Sequence, residues 1–255
     1  MRVFLAGAVL QARLLWKSPF EMIILFTLPL QTAAFLSIFR FADRGDLDIY
    51  AIIAPALIAL WSMALMISGE VIARERENQS LESLIASPAP LNLVLLGRIS
   101  AVTVISMLGF VESILTGWLL FGVTLSVGSP WVLLLTIGTT AAATAGTAIM
   151  MSVVFIMSRS PRIFQNSLSY PFYLLGGILV PVTVFPVWLQ WISHGVYLYW
   201  SADLLRDSVH ADHVENWAGR TGMILLLGTL TFALASLLLH RTLLKARGEG
   251  KIGVL

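Results

Sequence analysis

Apolar runs divide the chain into six long segments, approximately 20–39, 49–72, 99–121, 131–157, 164–183 and 221–240. Crossing a hydrocarbon core of about 30 Å takes roughly 20 helical residues. Lipid offers no partner to an unpaired backbone N–H or C=O, so each segment must be helical. The expected fold is therefore an all-α polytopic membrane protein with six transmembrane helices, a single transmembrane domain over 1–255. No soluble domain intervenes, and the longest connections are 73–98 and 184–220. The start, MRVFLAGAVLQARLLWKSPF, has a short apolar stretch, Val3 to Leu10, that Arg13 and Lys17 then interrupt. No small-residue cleavage site follows, which argues against a signal peptide. Its basic charges predict an N-terminal interfacial amphipathic helix over 1–19; an extension of the first span is the alternative.

Composition agrees. The chain is 58% hydrophobic and 12% charged, with a mean hydropathy of +0.87, whereas a soluble domain is about 25% charged. Without cysteine, a disulfide framework and a thiolate metal site are both excluded. A net charge of +2 is too small to suggest a nucleic-acid partner. The placement of the basic residues says more. With both termini cytoplasmic, the inside carries Arg2, Arg13, Lys17, Arg74, Arg76, Arg98, Arg159, Arg162, Arg241, Lys245, Arg247 and Lys251. Only Arg40, Arg44, Arg206 and Arg220 lie outside, so orientation follows from the positive-inside rule.

Polar groups within the spans are few. Glu112 lies near the middle of the third segment, where an ionised carboxylate is costly. With Ser113 and Thr116 nearby it is expected either to touch a substrate or gate, or to fix packing by an interhelical hydrogen bond. Gly138, Ala142 and Gly146, at four-residue spacing in GTTAAATAGTAIMM, predict close helix packing rather than a cavity. No GxxxxGK[ST] phosphate loop occurs. His194, His210, His213 and His240 are dispersed; His210 and His213 with Asp212 read as a solvated outer loop, with weak metal binding as the alternative, and no catalytic constellation is evident.

Two connections carry the remaining signal. In ARERENQSLESLIASPAP, Ala73 to Pro90, residues Leu81, Leu84 and Ile85 fall on one face of a short helix. Ser87-Pro88 and Ala89-Pro90 end it, and Pro90 suits the first position of the next helix. The expectation is a short amphipathic helix parallel to the membrane, with a plain solvated loop as the alternative by spacing alone. The stretch 185–200 holds Trp188, Trp191, Tyr197, Tyr199 and Trp200 after Pro181 and Pro186. Such rings favour the bilayer interface, so a broken, aromatic segment reads as an outer re-entrant hairpin between spans five and six. An interfacial loop with aromatic anchors is the alternative. Trp188 and Trp191 are expected at the outer headgroup level, with Asp203 and Arg206 paired across one turn of helix.

The wording of these stretches resembles a known family. ERENQSLESLIASP, through Glu75, Arg76, Glu77, Ser80, Leu81, Glu82, Leu84, Ser87 and Pro88, looks like the first cytoplasmic loop of ABC-2-type permeases, the membrane subunits of ATP-binding-cassette exporters. Gln79 stands where that family usually has Gly. Pro171, Gly176, Pro181, Pro186, Trp188, Leu189, Tyr199, Asp203, Leu205 and Arg206 match its C-terminal signature, and WKSPF is similar to its entry to the first span. The resemblance implies a cytoplasmic coupling helix at 75–88 that docks on a separate ABC ATPase, which would hold the ATP and magnesium. It also implies no cofactor in this chain, a second permease subunit as homo- or heterodimer partner, and a bacterial inner (plasma) membrane location. Drug- and antibiotic-exporting permeases of the daunorubicin-resistance type are the expected subclass, with alternating access as mechanism. Glu112, Thr116, Pro181, Pro186, Trp188, Trp191, Asp203 and Arg206 are the candidates for the translocation path or gate. A lipid-linked polysaccharide or teichoic-acid exporter is the alternative within the same machine. A secondary transporter or a non-transporting scaffold is the alternative outside it, although no inverted repeat is evident.

Overall fold

Helix is the regular structure of the computed structural model, 87% of it, and no strand occurs among the described residues. Those residues are 2–17, 23–77, 91–125, 127–157, 161–211 and 213–248. In chain order the helices are α1 (Arg2–Lys17), α2 (Ile23–Phe41), α3 (Asp48–Glu77), α4 (Leu91–Ser106) and α5 (Leu108–Phe121). There follow α6 (Pro130–Met157), α7 (Pro161–Leu175), α8 (Val187–His194), α9 (Tyr197–His210) and α10 (Trp217–Gly248). Among the described residues, five stretches are long and apolar enough to cross a membrane: Ile23–Phe41, Gly45–Glu70, Leu93–Phe121, Pro130–Phe155 and Trp217–Arg241. The third joins α4 and α5 through a turn at Met107, whose N–H still bonds Thr103 O and Val104 O.

The expected fifth span differs. Helix α7 stops at Leu175, eight residues before the expected end at 183. At 1.5 Å per residue its 15 residues extend only about 22 Å. The cause is the Gly176-Gly177 pair, described below.

Helix α3 is the axis of the fold. Its most apolar window is 83% buried, against 22% for α2 and for α10, which fits a helix that is apolar on all sides. Leu57, Leu60, Trp61 and Leu65 of α3 join Phe155 of α6, Tyr173 of α7 and Tyr197, Leu198, Leu204 and Leu205 of α9 in the largest core. Trp61 stacks on Phe172, ring centroids 4.4 Å apart at 17°.

Helix α1 packs along α4, burying Gly7, Gln11 and Leu15, an i, i+4, i+8 stripe that its apolar residues alone do not reveal. A Cβ on Gly97 would lie 2.2 Å from Phe4 O, and one on Gly7 2.7 Å from Val94 O. Buried Arg98 donates its Nε–H to Gln11 Oε1 at 3.0 Å. Leu5, Val9, Leu10 and Trp16 remain exposed on α1.

The expected small-residue seam on α6 is only partly present. Gly146 meets Gly228 of α10 so closely that an added Cβ would lie 2.5 Å from Gly228 O, and a Cβ on Gly228 would lie 2.6 Å from Ala143 Cα. Gly138, by contrast, faces open space, and Ala142, Gly146, Gly228 and Phe232 border an apolar cavity of about 190 Å³ that the sequence did not suggest. This contact generates a prediction. Gly228→Ala should force α6 and α10 apart and cost about 1–3 kcal/mol. Gly138→Ala should be neutral or slightly stabilising, since Ala is the better helix former. Thermal melting of the detergent-purified protein compares them, and equal effects at both positions would remove the close-packing account.

Candidate functional site

The break after α7 is built from local chemistry. Gly177 takes φ +61, a left-handed conformation that costs glycine little. Gly177 N–H bonds Leu174 O at 2.9 Å and Ile178 N–H bonds Tyr173 O at 3.1 Å. These two bonds form a Schellman helix end, with Ile178 and Tyr173 both in the core beside it. Pro181 then precedes a 3-10 turn over Val182–Val184, and Pro186 precedes α8. Gln190 Nε2 donates to Phe185 O at 2.8 Å, tying α8 to the segment before it. A tight turn at Gly195 and Val196 leads into α9, so α8 and α9 form a short helical hairpin.

The two helices of the hairpin have different surroundings. On α9, Tyr197, Leu198, Ser201, Ala202, Leu204, Leu205, Ser208 and Val209 are buried. Thr144 Oγ1 donates to Thr140 O, so the 2.8 Å contact with Tyr197 must use the tyrosine O–H as donor. Thr140 Oγ1 donates to Ser201 Oγ at 2.9 Å. Burial holds the Tyr197 phenol well above its ordinary pKa. Backbone N–H of Ser129 bonds Ser208 O at 2.9 Å, which fastens the far end of α9 to the loop before α6. On α8, Trp188 and Trp191 are 65% and 75% exposed. Trp191, His194, Tyr199 and Trp200 form a ring cluster at the hairpin turn.

The expected Asp203–Arg206 pair does not form. Asp203 turns to Arg220 of α10, 3.3 Å from its Nη1, and Arg220 also donates to Asp207. Asp203 and Asp207 are four residues apart and share a helix face, and one guanidinium bridges both. Arg206, between them in the chain, faces another way. Its Nη2 donates to Gly177 O at 2.6 Å and Ile178 O at 3.0 Å, and its guanidinium carbon lies 4.0 Å above the Tyr50 ring of α3. Burial pushes the Arg206 guanidinium below the usual arginine value, opposed by Tyr50 and the two aspartates. Burial likewise raises the Asp203 carboxyl, which Arg220 draws back down. Arg220, Tyr50 and Gly177 were not singled out from sequence. The i, i+4 acid pair was the available signal for Arg220; nothing local pointed to Tyr50.

Other candidates are dispersed. Glu112 and Thr116 lie on α5, away from the hairpin, and no shared pocket forms with Ser113. Ser113 Oγ donates to Ile52 O at 2.6 Å and therefore accepts from Thr32 Oγ1 at 2.9 Å. Thr116 Oγ1 donates to the Glu112 backbone O at 2.7 Å, leaving Glu112 Oε2 buried without a hydrogen-bond partner. Pro181 and Pro186 bound the connection before α8. Glu75, Arg76 and Glu77 complete α3. Ser80, Leu81, Glu82, Leu84 and Pro88 lie outside the described residues, as does the helix expected there. No group of three metal-ligating side chains occurs among the described residues.

Several apolar helices long enough to cross a membrane define a multi-pass membrane protein. The description ABC-2 type transporter matches residues 4–209, most of the chain, and the chain belongs to that family. The matched region runs from α1 to the end of α9. Such a domain is the transmembrane component of a transporter, not its ATPase. No curated protein and no solved structure matches the chain significantly.

The three-way ion bridge is testable. Arg220→Met leaves Asp203 and Asp207 facing each other and should cost on the order of 1 kcal/mol of stability in detergent. Asp207→Asn in that background should recover it. Burial already raises the Asp203 carboxyl, and its protonation relieves the same repulsion, so the deficit should shrink as pH falls. A deficit that ignores both pH and the second substitution would contradict the bridge.

Proposed function

We propose that the chain is the permease subunit of an ATP-driven ABC-2 exporter. It moves an amphipathic or hydrophobic substrate, such as a drug, antibiotic or other natural product, out of a bacterial cell. The observation that carries this reading is the family match over residues 4–209, which takes in every element of the broken segment and its hairpin. Alternating access is driven by a separate ABC ATPase that holds ATP and magnesium, and two permease subunits complete the path. The chain itself has no phosphate loop.

In this reading the segment 164–183 makes the fifth of six crossings despite its early helix end, and both termini are cytoplasmic. Backbone that leaves helix at membrane depth is tolerated when it is packed on protein. The burial of α9, a helix of 14 residues, among the long helices supports a re-entrant hairpin. Residues 75–88 form the coupling contact with the ATPase at the opposite end of α3. Trp188 and Trp191, exposed on α8, are placed to anchor the hairpin at the outer headgroups.

Two experiments test this. Leu84→Glu should leave membrane insertion intact but lose the ATPase in pull-down, or separate ATP hydrolysis from transport. Normal transport with normal ATPase retention would sink the coupling role. Single cysteines at 188 and 191, in a chain with none of its own, should label from outside in a pattern that changes when ATP hydrolysis is trapped. Labelling from the cytoplasm alone overturns the topology. Labelling indifferent to the ATPase reduces the hairpin to a static anchor.

A further inference from the structure

Arg206 is held differently from every other charge near it. Asp203 and Asp207, three residues before it and one after, both go to Arg220. Its own hydrogen-bond partners are two peptide carbonyls, Gly177 O and Ile178 O, and its Nε is buried with none. Those carbonyls lie just past the Schellman end of α7, where helix termination leaves acceptors unmatched and the helix dipole favours a cation. The guanidinium carbon also lies over the Tyr50 ring, 4.0 Å from its centroid, in the first turn of α3. One planar side chain thus joins α3, the break after α7, and α9. The break cannot shift independently of α9: a Cβ on Gly176 would lie 2.8 Å from Leu198 Cβ.

We propose that Arg206 is a latch that fixes the break in the fifth segment, with Tyr50 as its seat. A buried guanidinium on neutral carbonyls, with one N–H unpaired, is incompletely compensated. Asp203, three residues before it, offers a charged alternative on its own helix, at present taken by Arg220. Release is therefore an exchange: the guanidinium leaves the carbonyls of Gly177 and Ile178 for Asp203, and Arg220 keeps Asp207. Two discrete arrangements of this kind make a switch rather than a soft joint. The latch stands on the geometry alone; its use in opening the exit rests on the permease reading.

The test uses reporter cysteines. Ile178→Cys and Val182→Cys report the break, and Leu198→Cys reports the core of α9; all three positions are buried. With Arg206 intact, each should resist a membrane-impermeant maleimide. Arg206→Met should raise the labelling rate at 178 and 182 on the order of tenfold through local opening, leaving 198 shielded. Arg206→Lys keeps the charge and donors but not the flat contact over Tyr50, so it should give a rise between those of Arg and Met. Tyr50→Ala, a milder change, should give a smaller rise in the same pattern and serves if Arg206→Met does not accumulate. Unchanged shielding at 178 and 182, or an equal rise at 198, overturns the latch. Labelling at 182 in the native-Arg206 protein with its ATPase, compared before and after trapping hydrolysis, addresses the permease reading separately. A latch that responds to Arg206 but not to the ATPase keeps the first proposal and removes its role in gating.

Discussion

Hydrocarbon cannot hydrogen-bond, and every backbone group held within it must find its partner in the chain. Continuous helices meet that demand within themselves, which is why the long apolar stretches are helices. The demand becomes specific where helix ends inside the bundle. After Leu175 the chain satisfies it piece by piece: two Schellman bonds at Gly177 and Ile178, a 3-10 turn at Val182–Val184, Gln190 on Phe185 O, and Arg206 on two carbonyls. All of these suppliers but Arg206 are local, and Arg206, from α9, is the one that ties the break to the hairpin that follows.

The same constraint governs how the helices hold one another. Apolar association has little driving force between helices in lipid, so close packing and interhelical hydrogen bonds set the register, the latter at about 0.6–2 kcal/mol each. Here the hydroxyls are placed accordingly. Thr32 and Ser113 join α2 and α5 to the Ile52 carbonyl of α3. Tyr173 bonds Ser62, and Gln165 reaches Leu65 O and Met66 O, both at 3.0 Å, across the space that Gly69 leaves open. Thr140 and Thr144 hold Ser201 and Tyr197. Helices α2, α5 and α7 are thus pinned to α3 and the hairpin to α6, mostly by small side chains that barely register in a hydropathy profile.

That contrast explains what the sequence disclosed. Length and apolarity depend on residue type alone, so the crossing segments other than 164–183 were legible, with shifts at their ends. Pro181 and Pro186 fall in the connection between α7 and α8, and the clustered rings lie on α8 and α9. The helix end at Leu175 was missed because Leu175 to Val180 is still apolar, and hydropathy does not see a left-handed glycine. The i, i+3 spacing of Asp203 and Arg206 suggested a pair, but spacing is silent about a third group, and Arg220 from another helix outcompetes Arg206 for both acids. Gly146 and Gly138 looked equivalent by spacing; only the position of α10 separates them. The buried stripe of α1 escaped notice because its members are Gly7, Gln11 and Leu15, a mixture that no apolar pattern selects.

Helix α3 links these observations across the thickness of the molecule. It is one helix of 30 residues, Asp48–Glu77, about 45 Å long at 1.5 Å per residue. Its last turn carries Glu75, Arg76 and Glu77, the start of the stretch assigned to the ATPase contact. Its first turn carries Tyr50, on which Arg206 lies. Up to Glu70 the helix is largely buried, and a close-packed core passes displacement on rather than absorbing it. The weak point is Pro55, which removes the hydrogen bond to the carbonyl of Ala51 one turn beyond Tyr50. That missing bond separates a short first piece, which seats Arg206, from a longer piece packed on α6 and α7. Pro55, the seat of Arg206 and the break after α7 thus all fall at one end of the bundle, opposite the end that carries Glu75, Arg76 and Glu77.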